Sequence, residues 1–509
     1  MSRSQTLIGN TLWSVTTRCW PIALHFFTTP YVVSHLGVDT YAVYAMIFII
    51  LGYFGFLDLG LSKAVIKFVA EAVGRSDHET ARCLIVTALG LYFVLGLAGG
   101  ALLFALSGSI ITRVLQIPSE LQNDALFAFR VSAAIFLLNM PTQALIAVPK
   151  AFERFDISGK FEMGMGTTQT LSAVAALAAG GGLKEVALAI AATNVIGISF
   201  AAFIAVRLLP LRPLVSGFQV KSLRRLLKFG GVVAGEGILI VLAARINSLI
   251  IGIFLPIGSF AYYSVVEGIS SRVSSLPQSI NETVFPSFSQ LDAANRQDLL
   301  KSLFLRATRF VAVITTPFFF LFLAFPDKFL GFWLGPDFAV EGANVLRVLG
   351  SAYLVTFWGY PSIAAARGMN RPGLSVRWQA LIGVLNVVLC FALIPSFGIL
   401  GAAIAWSVHR FFIIPLFICS VGKTLLSIEA GTLIRDTFAR PLVVGIPFLA
   451  LAVLCRPMVT SLVMLIVVMA GLTVAFLSAC YYFALDDLDR NEAQNFLRGR
   501  LIWKLKYSR

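Results

Sequence analysis

Apolar runs of helix-spanning length dominate the chain, interrupted at short intervals by charged residues or by proline and glycine. They fall at residues 10–34, 41–62, 83–107, 122–147, 164–182, 185–207, 229–254, 259–285, 308–333, 343–366, 376–395, 399–421, 441–456 and 459–483. A helix crossing the hydrocarbon core of a bilayer takes about 20 predominantly apolar residues. Each run therefore reads as a span, and the chain as an all-α polytopic membrane protein of about 14 transmembrane helices. The longest interval is the basic stretch 208–228, too short to hold a soluble domain.

Composition agrees with that pattern. Of 509 residues 58% are hydrophobic and 13% charged, with a mean hydropathy of +0.86; soluble chains carry about 25% charged residues. A peripheral or single-span protein is excluded. The net charge of +15 would suggest an acidic partner in a soluble protein, but here topology explains it. With a cytoplasmic N-terminus, the intervals assigned to the cytoplasm, together with Arg309, hold 30 of the 40 basic residues and the opposite side holds 5. Cytoplasmic loops carry such an excess, so both termini are expected in the cytoplasm of the cell's inner membrane, with no nucleic-acid partner. Residues 1–34 lack a short apolar core followed by a small-residue cleavage site and read as the first span. The six cysteines lie in or beside apolar runs without a CxxC pair, and no His cluster has metal-ligand spacing. Neither a disulfide framework nor a metal site is expected, and no cofactor.

Weak self-similarity suggests a duplication. Leu36, Ala42 and Tyr44 recur as Leu255, Ala261 and Tyr263; Arg130, Val131, Lys150 and Arg154 as Arg347, Val348, Arg367 and Arg371; Ala189-Ile190-Ala191 as Ala403-Ile404-Ala405. The expected organisation is an N-lobe at 1–207, a linker at 208–228, a C-lobe at 229–421, an added helix pair at 422–483 and a basic cytoplasmic tail at 484–509, the tail lying on anionic lipid.

Ionisable residues inside spans cost at least about 2.5–3.5 kcal/mol and usually face a cavity or a partner. In the first span Arg18, His25 and Thr29 fall within about 40° of one another on a helix, with Pro21 between Arg18 and His25. In the eighth, Ser264, Glu267, Ser271, Ser275, Gln278 and Glu282 share one face, with Arg272 at its edge. Glu236, Arg245 and Asn247 occupy the seventh span, and His409 and Arg410 the twelfth. Arg130, Arg347 and Arg309 lie near span ends, where they can snorkel. Arg18, Arg245, Arg272 and Arg410 are the candidate phosphate ligands, since the guanidinium fork matches phosphate. His25, Glu236, Asn247, Glu267, Ser271, Ser275, Gln278 and Glu282 are the candidate cavity-lining residues. No nucleophile-base pair or phosphate loop is present, so the chain is not expected to be an enzyme.

Several short motifs then narrow the class: His35-Leu36-Gly37-Val38-Asp39-Thr40-Tyr41, Leu57-Asp58-Leu59-Gly60-Leu61, Lys67-Phe68-Val69-Ala70-Glu71, Arg154-Phe155-Asp156, Phe285-Pro286-Ser287-Phe288-Ser289, Phe332-Trp333-Leu334-Gly335 and Phe397-Gly398-Ile399-Leu400-Gly401-Ala402-Ala403-Ile404-Ala405. In order and spacing the chain resembles the Wzx-type polysaccharide and O-antigen flippases of the multidrug/oligosaccharidyl-lipid/polysaccharide (MATE-like) exporter superfamily. The resemblance implies two six-helix lobes around a central cavity open alternately to each side. It further implies transport of an undecaprenyl-pyrophosphate-linked oligosaccharide to the outer leaflet for surface polysaccharide biosynthesis, alongside other polysaccharide assembly proteins. A cation-coupled drug exporter of the same architecture would want an acidic, aromatic cavity, which the arginine excess within spans opposes. A membrane-embedded glycan polymerase or transferase would want a large extramembrane loop, which the hydropathy pattern lacks.

Overall fold

The computed structural model describes residues 3–54, 58, 60–209, 219, 220, 222–227, 246–486, 489 and 490, without the side chains of 3–19, 51–54, 155, 276, 279 and 283. The described residues form an all-helical chain with no strand. Eight helices among them are long and apolar enough to cross a membrane, and the shorter apolar helix Val38–Ile50 accompanies them. The span expected at 229–254 lies mostly outside the described residues. Residue contacts divide the chain into two compact units, residues 12–261 and residues 1–11 with 262–509.

Within residues 12–261 the chain runs through α1 (Arg3–Leu36, from Leu12 onward), α2 (Val38–Phe54), α3 (Leu61–Gly74), α4 (His78–Ser109), α5 (Ser119–Ala151), α6 (Phe155–Ala178) and α7 (Leu183–Leu208). Helix α5 is the centre, packed against α2, α3, α4 and α7. Gly37 joins α1 to α2 at φ 75°, the left-handed conformation that ends many helices. Residues 63–82, expected as a cytoplasmic loop, instead contain α3. Its buried Leu61, Ala64, Val65, Phe68, Val69 and Ala72 follow the period of an amphipathic helix. The Arg154-Phe155-Asp156 motif opens α6 with a two-pronged pair, Arg154 Nε and Nη2 lying 3.0 and 3.2 Å from the Asp156 carboxylate. That hydrogen-bonded guanidinium holds the Asp156 carboxyl below its ordinary value.

The second unit contains α8 (Ile257–Arg272, from Tyr262 onward), α9 (Ser275–Ala293), α10 (Gln297–Phe319), α11 (Pro326–Leu334), α12 (Pro336–Trp358), α13 (Tyr360–Gly368), α14 (Pro372–Leu426), α15 (Arg440–Cys455) and α16 (Leu462–Phe483). Helix α14, with 55 residues, merges two spans across Gly398, whose φ of 60° and ψ of −141° are not helical. A Cβ on Gly401 would strike the Leu393 carbonyl. Eight residues of straight helix would separate those positions by about 12 Å, so α14 reverses sharply here. Ala at position 398 must hold a positive φ, at about 1–3 kcal/mol. The G398A variant is expected to unfold at lower temperature in detergent, while G373A, at an open helical glycine, should not.

The last two helices dock on α10. Phe320, Phe448 and Phe476 form a triangle of rings 5.4–6.4 Å apart, and Phe476 is fully buried. Their outer faces, including Val443, Ile446, Val463 and Val467, are exposed and apolar, as a lipid-facing surface requires. A polar network closes one end. Arg309 Nη1 donates to Asp486 at 2.6 Å and to Asp489 at 2.7 Å, and its Nε donates to the Asp436 carbonyl. Arg306 adds a second bond to Asp489 and Arg440 one to Asp486, each 2.6 Å. Arg309 does not snorkel: it is 3% exposed, because these carboxylates come to it. Partial burial of Asp486 opposes its charge, but the hydrogen bonds from Arg309 and Arg440 outweigh it and hold the carboxyl below its ordinary value.

Candidate functional site

The polar stripe expected along one continuous eighth span is carried by two helices. The break falls at Val273 and Ser274, and its cause is Pro277, which has no N–H for the Val273 carbonyl and whose ring crowds it. Glu267 and Ser271 belong to α8, and Ser275, Gln278 and Glu282 to α9. Ser271 donates to the Gly268 carbonyl at 3.2 Å. The Arg272 guanidinium also lies back over Gly268. Gln278, with Ser274, hydrogen-bonds the Tyr360 hydroxyl. Ser275 is half-buried and Glu282 exposed.

Glu267 enters a denser cluster. Tyr353, on α12, donates its hydroxyl to Glu267 Oε1 at 2.8 Å. Its ring lies 4.0 Å from that of Trp406, on the second arm of α14. The Arg410 guanidinium sits over the other end of this relay, 3.8 Å from the Trp406 ring centroid. Arg410 is 8% exposed. Its Nη1 donates to the Trp406 carbonyl at 2.6 Å and lies 3.0 Å from His409 Nε2. His409 Nδ1 lies 2.8 Å from the Ala405 carbonyl. Both contacts are satisfied by one tautomer, a neutral imidazole with its proton on Nδ1 and a lone pair on Nε2 facing the cation. Among the described residues nothing accepts a hydrogen bond from Nε or Nη2 of Arg410. That leaves open the two-donor edge that matches a phosphate or carboxylate.

The cluster joins two of the expected site residues, Glu267 and Arg410. Others belong to residues 12–261 or lie outside the described residues. His25 is half-buried in α1 and Asn247 buried at 3% exposure. The Arg18 side chain, Arg245 and Glu236 lie outside the described residues. Of the cations expected near span ends, Arg130 lies over the Phe104 ring and Arg347 pairs with Asp327 at 3.4 Å.

A family model for polysaccharide biosynthesis proteins matches residues 35–340, more than half of the chain. The chain belongs to that family. Among its relatives is a Shigella flexneri protein named for O-antigen transport, 22% identical over 79% of this chain and 95% of its own length. Another is named as a low-salt glycan biosynthesis flippase of Haloferax volcanii, 30% identical over 31% of this chain and 33% of that one. The fold is similar to that of a lipid II flippase in an inward-closed conformation, with a TM-score of 0.69, 12% identity, and 93% and 99% of the two chains covered. It is also similar to an inward-facing multidrug resistance transporter of the MATE family, with a TM-score of 0.65, 15% identity, and 81% and 99% covered. The fold is thus MATE-like, as the motifs imply.

Two members of the cluster escape a search for charges. Trp406 lies four residues before Arg410, so helical spacing alone places it on the same face. Tyr353 carries no comparable signal, because its partner Glu267 is 86 residues away.

Proposed function

We propose that the chain is a flippase, moving a lipid-linked oligosaccharide, an undecaprenyl-pyrophosphate-linked repeat unit, from the cytoplasmic to the outer leaflet of the inner membrane. Two six-helix lobes alternate access, the last helix pair being an addition to the second, and both termini are cytoplasmic. The path is cationic, with Arg18, Arg245, Arg272 and Arg410 meeting the diphosphate in turn while the lipid tail stays in the bilayer. No covalent bond is made or broken. The observation that carries this reading is Arg410, an intramembrane cation fixed on Trp406 with a two-donor edge unoccupied by any described residue. Lysine would supply only a point charge there. Membership in the polysaccharide biosynthesis family and the relatives named for O-antigen transport and glycan flipping support the substrate class. Drive from the membrane potential is sufficient in kind, since moving an anion outward gains about 2.3 kcal/mol per charge per 100 mV.

The test is removal of the gene from its host. Lipid-linked oligosaccharide should accumulate on the inner leaflet, surface glycan should vanish, and this chain in trans should restore it. Undiminished surface glycan in the deletion strain would overturn the reading.

A further inference from the structure

A cavity of different chemistry from the Arg410 cluster lies wholly within residues 12–261. It measures about 260 Å³ and opens among α2, α5, α6 and α7. Its lining comes from regularly spaced positions on three of these helices, including Tyr44 and Phe48 of α2, Ser132 and Asn139 of α5, and Asn194 of α7; α6 adds Gln169. The Tyr44 and Phe48 rings meet edge to face at 5.0 Å and form an aromatic wall. Opposite, Gln169 Nε2 donates to Asn194 Oδ1 at 3.3 Å, and Asn194 is anchored by its own bond to the Ile190 carbonyl. Among the described residues, no Asp, Glu, Lys, Arg or His lines the chamber.

Three features bear on what it can hold. The Asn139 and Tyr44 side chains are half-buried, and neither the Asn139 amide nor the Tyr44 hydroxyl hydrogen-bonds to a described residue. Both face the cavity with donors and acceptors to offer. The absence of charge excludes phosphate and carboxylate as favoured guests. The volume falls below the range of about 300–1,000 Å³ typical of pockets for drug-sized ligands, so it suits one ring and not an oligosaccharide. A neutral hexopyranose ring has matching properties: an apolar C–H face to lie on one of the two aromatic rings while its edge meets the other, and a rim of hydroxyls to pair with amides.

We infer that this chamber is a subsite for one neutral sugar residue of the transported glycan, with Tyr44 and Phe48 as its stacking wall and Asn139 and Gln169 as its hydroxyl partners. The inference rests on the flippase reading and adds a neutral-sugar requirement to it. The diphosphate and the sugar are then recognised at separate places, the first by Arg410 and the second here.

The experiment uses the full chain reconstituted in nanodiscs, with saturation-transfer NMR of methyl glucoside, methyl N-acetylglucosaminide and methyl glucuronide as probes. At least one neutral glycoside should give saturable transfer to its ring protons, and the glucuronide should give none. The double variant N139A/Q169A should bind the neutral probe about tenfold more weakly, as loss of one or two hydrogen bonds requires. Y44F, which keeps the ring, should fall between. An unchanged melting temperature in both variants confirms that they fold; should the double variant not fold, Y44F carries the comparison. Absence of transfer from every neutral glycoside, which would mark a chamber holding water alone, overturns the inference. So does equal binding of the glucuronide, or unchanged affinity in both variants. The flippase reading is separated from it by complementation: if the wild-type chain restores surface glycan but no probe binds, the subsite falls and the flippase stands. If the deletion strain keeps its surface glycan, the flippase reading falls first.

Discussion

R410A and R410Q should abolish surface glycan while the protein still reaches the membrane in normal amount. The open Nε–Nη2 edge can give two charge-assisted hydrogen bonds to a phosphate. At about 1.5–3 kcal/mol each, their joint loss lowers transport by about a hundredfold or more. R410K discriminates between charge and shape. It keeps the charge but loses the fork and the planar stack on Trp406, so it should be nearly as defective as R410Q. Y353F is expected to be milder, a severalfold loss, because it removes only the hydroxyl that holds Glu267. Lectin staining of intact cells, normalised to the chain's abundance in the membrane fraction, reads all four. Wild-type staining in R410K would refute the phosphate-fork role, leaving charge alone to account for the site.

The second large effect concerns stability and not transport. R309A removes the hub of the network that binds residues 486 and 489 to α10. Breaking a buried ion pair costs about 3–5 kcal/mol; because Arg306 and Arg440 keep their own bonds to the two aspartates, the lower end applies. For a unit of this size that lowers the unfolding midpoint by roughly 6–12 °C. D489N keeps size and an acceptor oxygen and should lose less. Acid should act on the wild type in the same direction. The Asp486 carboxyl is held below its ordinary value when folded, so its contribution is present above the usual carboxylate range and is lost as pH falls through that range and below. R309A should flatten this pH dependence. A midpoint within about 2 °C of wild type would mean that the network is dispensable.

Much of the architecture is legible because the hydrophobic pattern reports the solvent directly. Continuous apolar runs of bilayer length have no alternative home, and the structure places helices over most of them. The motifs are legible for a second reason: Gly37, Gly60, Gly335 and Gly398, each in one of the quoted motifs, all have positive φ. Four of the seven motifs therefore mark turn geometry, and the order and spacing of all seven carry the resemblance. Helix α3 was missed because its hydrophobicity is confined to one face, which a span-length average dilutes. The break in the polar stripe was legible in Pro277 but was masked by the regular spacing on either side. The site itself divides the same way. Glu267 and Arg410 stand out as charges in apolar sequence. Tyr353 acquires meaning only from tertiary packing, and the sugar-sized chamber only from the convergence of four helices, each unremarkable alone.

The reversal at Gly398 has a mechanical consequence. The two arms of α14 are joined without a loop, and Gly401 lies against Leu393, so there is no slack between them. Trp406 and Arg410 lie 8 and 12 residues beyond the turn, about 12 and 18 Å along the second arm. A tilt of the first arm is therefore transmitted to the second as leverage, and a small rotation at the corner becomes a larger sweep at the guanidinium. Because Arg410 is bound to its own helix through the Trp406 carbonyl, it travels with that arm. If Arg410 holds the substrate's phosphate as proposed, a stiff hairpin moving as one piece would carry it, with its pace set by collective helix motion on the microsecond-to-millisecond scale.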